Sequence, residues 1–126
     1  MNKKGQVLVF FVILIPVLVT IAAFAIDMGY NFYQSNKLHS INHMVLKYGL
    51  EHISRSDVRT KMIDLLYKND KDIDSYELKI EDNNITLMTK KTVDSIFGKA
   101  INIKFYYIEA TYAGSITNNE ITIEKR

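Results

Sequence analysis

A chain of 126 residues without cysteine has room for one domain and excludes disulfides, thiol catalysis, a lipid-modified cysteine and Cys-based zinc sites. Its net charge of +2 is matched by Lys3 and Lys4 alone, so the remainder is near neutral and makes no electrostatic case for nucleic acid. No internal repeat or low-complexity stretch is present.

The chain begins with a short basic segment, Met1 to Gly5, and then turns apolar. Gln6 to Ile26 carries no charge, and only Gln6 and Thr20 are polar. A helix over this stretch is about 31 Å long, close to the ~30 Å hydrocarbon thickness of a bilayer. Apolar surface on every side of a helix marks a membrane span or a secretory signal. Pro16 lies mid-span, where membrane helices tolerate the lost backbone donor. The lysines ahead of the run predict a cytoplasmic N-terminus, with Asp27 onward on the far side of a single-pass protein in the cell membrane. The alternative is a cleaved signal, since Ala23-Phe24-Ala25 has the small-x-small pattern of a signal peptidase site. It would release a small secreted binding domain starting after Ala25.

Beyond Asp27, Tyr30, Phe32 and Tyr33 stand where an interfacial aromatic belt anchors a span. Leu38, Ile41, Val45 and Tyr48 then form one helical stripe. Gly29 and Gly49 weaken a helix without stopping it, so one long helix is expected from about residue 6 to about 52, transmembrane first and amphipathic after. The two predicted regions are therefore 1–52, the helix, and 53–126, a small extracytoplasmic α+β domain. Ser54 or Ser56 is expected to cap a short helix whose stripe is Val58, Met62, Leu65 and Leu66, ending near Lys68.

Strands follow. Tyr76, Leu78 and Ile80 alternate with polar residues, Asp82-Asn83 makes a turn, and Ile85 and Leu87 resume the alternation. Thr92 to Lys99 reads as irregular or a single helical turn. The longest strand is expected from Ile101 to Ala113, apolar on both faces in its middle, which requires either two covered faces or a bulge near Tyr106-Tyr107. Ile121 and Ile123 give a last short strand. The fold class is α+β: long helix, short helix, small antiparallel sheet.

Chemistry-bearing patterns are few, and neither catalytic residues nor a cofactor site is predicted. Asp70, Asp72, Asp74 and Glu81 have the 1, 3, 5 and 12 spacing of a calcium loop, but Ser75 stands where that loop needs Gly. They are weak metal candidates against a polar loop. His39 and His43 share a helix face without the Glu of a zinc protease, and His52 does not complete a site, so a solvated face is expected.

Three short motifs carry a family resemblance: Lys4-Gly5-Gln6, Ile15-Pro16-Val17-Leu18, and Ala25-Ile26-Asp27-Met28-Gly29. With a weaker patch at Ile96-Phe97-Gly98-Lys99 and Ile108-Glu109-Ala110-Thr111-Tyr112-Ala113, the chain resembles the TadE/TadG-like proteins of Tad (tight adherence, Flp-type) pilus assembly. The resemblance implies a pilin-like architecture and a bitopic, non-enzymatic pseudopilin that helps assemble or prime a pilus. It implies as partners the membrane and other pilus or secretion-apparatus subunits. It also implies trimming between Gly5 and Gln6 by a prepilin peptidase. Processed pilins usually carry Glu five residues beyond that point; this chain has Phe10.

Overall fold

The computed structural model describes residues 3–126, so Met1 and Asn2 of the basic leader lie outside the described residues. Helix α1 runs unbroken over Lys3–Glu51, about 73 Å at 1.5 Å per residue. Pro16 is accommodated within it, and the Thr20 hydroxyl donates to the Pro16 carbonyl at 2.8 Å. The lower half is bare: no residue of its most apolar 18-residue window is buried. From Leu38 the same helix becomes core, burying Leu38, Ile41, Asn42, Val45, Leu46, Gly49 and Leu50.

The rest of the chain builds a surface for that upper half. Helix α2, Val58–Asn69, buries Val58, Met62 and Leu66, with Leu65 partly covered. Four antiparallel strands follow, β1 (Ile73–Ile80), β2 (Asn84–Asp94), β3 (Phe105–Thr117) and β4 (Glu120–Lys125), in the order β1-β2-β3-β4. The fold is α+β and consistent with a pilin-like architecture. Helix α1 lies on β2 and β3, touches β4, and packs against α2. Leu78, Leu87 and Tyr112 sit in one cross-strand row beneath it, and Ile80, Ile85, Gly114 and Ile123 in another. A Cβ on Gly114 would stand 2.5 Å from Leu50 Cδ1, so the missing side chain is what lets Leu50 seat on β3. Asn118 and Asn119, with φ of 53° and 67°, form the two-residue turn with positive φ at both positions that matches strand twist.

Several expectations are corrected. Neither serine caps α2; its N-cap is Asp57, which makes no side-chain cap bond and pairs with Arg55 at 3.3 Å on the surface. Tyr48 is only partly buried, at the edge of the stripe, stacked on His52 with ring centroids 4.4 Å apart. Strand β2 continues through Asp94 instead of ending before Thr92, because its inward positions Thr89 and Lys91 find buried polar partners. Strand β3 starts at Phe105, not Ile101. The preceding residues form a 3-10 turn, Gly98–Ile101, closed by Asn102 in the left-handed conformation (φ 70°). Neither a second cover nor a bulge resolves the two apolar faces of β3. Its pairing with β2 is unbroken from Ser115 to Phe105, and Tyr106, Ile108 and Ala110 face α1 while Phe105 and Tyr107 stay exposed. Ile103 and Phe105 are therefore not part of the core.

Because α1 supplies five of the apolar core side chains, the sheet is not independent of it. Leu46→Ala is expected to cost about 2–5 kcal/mol in denaturant unfolding. A fragment of residues 54–126 should lack dispersed amide resonances, whereas residues 25–126 should show them; dispersion in the shorter fragment would make the helix a mere stalk.

Candidate functional site

The site is the join between the bare and the buried halves of α1. A carboxylate just past an apolar run has a strong need for donors, and the chain supplies them from far along the sequence. Asp27, 2% exposed, receives the backbone N–H groups of the loop after β2. Ile96 N–H donates to Oδ1 at 2.7 Å, Phe97 N–H to both oxygens at 2.9 and 3.2 Å, and Gly98 N–H to Oδ2 at 2.6 Å. The Tyr106 hydroxyl stands 3.5 Å from Oδ2. Burial by itself pushes the Asp27 carboxyl up, but the amides of Phe97, Ile96 and Gly98 outweigh it and hold the group below its ordinary value. Burial and the same carboxylate push the Tyr106 phenol up. Gly98 is required by space as well: a Cβ there would meet the Ile103 carbonyl at 2.8 Å.

Two further polar contacts fasten the same helix higher up. Lys91 Nζ, on β2, pairs with Asp70 Oδ2 at 2.7 Å and donates to Gln34 Oε1 at 2.9 Å, the ion pair being almost fully buried. Burial raises the Asp70 carboxyl, but Lys91 and the Asp72 amide dominate and hold it low. Asn42, wholly buried, donates from Nδ2 to the Ala110 carbonyl at 2.9 Å, the Leu87 carbonyl at 3.1 Å and Thr89 Oγ1 at 3.2 Å. Asp27, Gln34 and Asn42 thus fasten one face of α1 to the sheet. The arrangement has the means to fix orientation; it brings together no nucleophile and base.

The structure separates the four acidic candidates. Asp70 is committed to Lys91, and its Oδ1 accepts from the Asp72 amide at 3.0 Å. Asp74, at the irregularity between Ile73 and Ser75, accepts from the Thr92 hydroxyl at 2.6 Å. The extended strand β1 lies between Asp74 and Glu81, about 23 Å at 3.3 Å per residue. Among the described residues no three His, Cys, Asp or Glu side chains gather as a metal site would need.

The histidine face is not simply solvated. His39 and His43 both meet the Tyr112 ring edge to face, and His39 Nδ1 lies 3.1 Å from the Tyr112 hydroxyl. Burial, and then the charge of Lys125, lower the His39 pKa. Gly5, Gln6, Pro16 and Ile26 all fall within α1.

Sequence reading reached Asp27 as a motif residue and as the boundary of the span, not as an acceptor. Its partners are main-chain amides, which leave no side-chain signature. A signal was available in the helical row Asp27, Asn31, Gln34, Leu38, Asn42, Val45 and Gly49, a continuous stripe whose lower members are polar.

Asp27→Asn sets an NH2 against amide donors and should lower Tm by several degrees. Asp70→Asn leaves Lys91 buried without its counter-ion and should cost about 3–5 kcal/mol, most of it recovered in the Asp70→Leu/Lys91→Met double variant. Groups with lowered folded pKa values lose their stabilising effect on acidification, because the unfolded chain takes up protons first. Thermal melts across pH should therefore show stability falling from about pH 6.5 as His39 titrates. The fall should steepen below about pH 4 with Asp27 and Asp70. Asp27→Asn should flatten the lower step.

No protein-family model, curated protein or solved structure matches this chain.

Proposed function

We propose that this chain is a single-pass membrane protein with its N-terminus in the cytoplasm and its sheet domain outside. In this reading it acts through protein contacts, without catalysis, as a pseudopilin-like component of Tad/Flp-type pilus assembly. The observation that carries the membrane part is a single helix whose lower half is bare and apolar while its upper half is core, with no break between them. The orientation is supported by Lys3 and Lys4 ahead of the span. Tyr30, Phe32 and Tyr33, all exposed just above the span, suit its interfacial rim.

The pilus part rests on the resemblance described above. One of the three motifs behind it, Ala25 to Gly29, touches the weaker patch Ile96 to Lys99 through the Asp27 carboxylate and the Ile96, Phe97 and Gly98 amides.

The mature N-terminus separates this from the signal-peptide alternative. Intact mass should give the full chain or a start at Gln6; a start at Ile26 would mean release from the membrane. Protease added to intact spheroplasts should digest residues beyond Asp27, and protection of the sheet domain would reverse the orientation. Cells lacking the chain should fail to display assembled surface filaments; normal filaments would overturn the pilus assignment.

A further inference from the structure

The loop that answers Asp27 does not stay at its level. It runs back along α1, so that Phe97, Ala100 and Ile103 line an apolar cleft with Val19, Ala23 and Phe24 of the helix. Val19 lies about 12 Å below Asp27 along the helix axis. Hydrocarbon that stopped short of this cleft would cover only residues 6–18, about 20 Å of helix against a core of about 30 Å. The loop therefore occupies a depth at which the helix still needs lipid.

Its surface has the matching chemistry. Ile96, Phe97 and Ile103 are 47%, 45% and 39% exposed, although the sheet core above them is closed. Phe105 and Tyr107 extend the apolar surface onto the outer face of the sheet, their rings edge to face at 5.1 Å. Lys99 and Lys104, both exposed, have stems long enough to carry their ammonium groups to headgroup phosphates while the loop sits lower.

Irregular backbone is costly at membrane depth unless the protein itself answers its polar groups. Most of the amides from Ser95 to Ile103 are answered in this way. Asp27 takes the amides of Ile96, Phe97 and Gly98. Ser95 N–H donates to the Lys104 carbonyl at 3.0 Å, Ala100 N–H to Phe97 at 3.1 Å, Asn102 N–H to Lys99 at 3.3 Å and Ile103 N–H to Gly98 at 2.9 Å. The Ser95 hydroxyl donates to the Ile103 carbonyl at 2.6 Å.

We propose that residues 95–107 are a second membrane contact, a wedge set into the leaflet beside the helix. Its apolar side chains meet the acyl chains near the headgroup boundary, Lys99 and Lys104 meet the phosphates, and Asp27 is the internal acceptor that allows the loop to be there. The proposal rests on the reading of α1 as a membrane span.

The chain contains no tryptophan, so one substitution gives a unique fluorophore. The full chain is reconstituted in phosphatidylcholine–phosphatidylglycerol vesicles with Trp placed singly by Phe97→Trp, Ile103→Trp, Phe10→Trp or Glu120→Trp. Lipids brominated near the headgroup end of the acyl chain should abolish most of the emission from positions 97 and 103 and leave position 120 bright. Lipids brominated near the chain end should quench position 10. Quenching at 10 with none at 97 or 103 overturns the wedge and leaves the span standing. No quenching at 10 overturns the span, and the wedge with it. Loop tryptophans that are blue-shifted but unquenched, in a chain that cross-links to a second copy, assign the apolar face to self-association and overturn the lipid contact. Asp27→Asn in the Phe97→Trp background should relieve the quenching; quenching that persists removes the carboxylate from the proposal.

Discussion

An ionised carboxylate next to an apolar helix must find donors, and Asp27 finds three of them in a loop about 70 residues away. That demand determines the level at which the sheet meets α1. With Ile96 to Gly98 held at Asp27, the lower ends of β2 and β3 are registered against the helix. Lys91 is then within reach of Gln34, and Thr89 and Ala110 come under Asn42. The apolar contacts of Leu38 to Leu50 follow on the same face. Hydrophobic burial gives the larger share of the stability, but it is indifferent to small slides along a helix. The directional polar contacts at 27, 34 and 42 are not.

The use of polar groups in the core has a cost that partnering offsets. Lys91 and Asp70 would each be prohibitive alone in so small a core; together, with Gln34 and the Asp72 amide on their remaining valences, they are tolerated. Their value lies in selecting one arrangement of helix on sheet. Asn42 acts in the same way through its Nδ2, which reaches two carbonyls on adjacent strands that no aliphatic side chain would satisfy, while its buried Oδ1 has no partner among the described residues.

Much of this was legible in the residues. The length of α1 followed from apolar content and the absence of any strong break after Pro16, and the first hairpin from alternation around Asp82-Asn83. What was not legible has a common cause. Residues 89–94 look unlike a buried strand because two of their three inward positions are Thr89 and Lys91, and nothing nearby in sequence announces that Asn42 and Asp70 are waiting for them. Ile103 looks like strand because it is apolar, yet the turn closed by Asn102 gives it a different task. The acidic run Asp70 to Asp74 has metal-like spacing, but spacing along a chain is not proximity once β1 extends away from it. The donors to Asp27 are backbone groups, available in any sequence and visible in none.

The unbroken course of α1 above Pro16 makes the protein a lever. Residues 27–51 form an arm of about 36 Å at 1.5 Å per residue, clamped to the sheet along its length. Membrane helices tilt by about 20° on average, and such a tilt carries the far end of this arm sideways by about 12 Å. Rotation about the helix axis is passed on with equal fidelity, because Asp27, Gln34 and Asn42 prevent the sheet from slipping around it. In the membrane setting proposed above, torque applied by a neighbouring helix above Pro16 would reach the outer tip of the sheet as displacement, because the helix continues unbroken from there into the core.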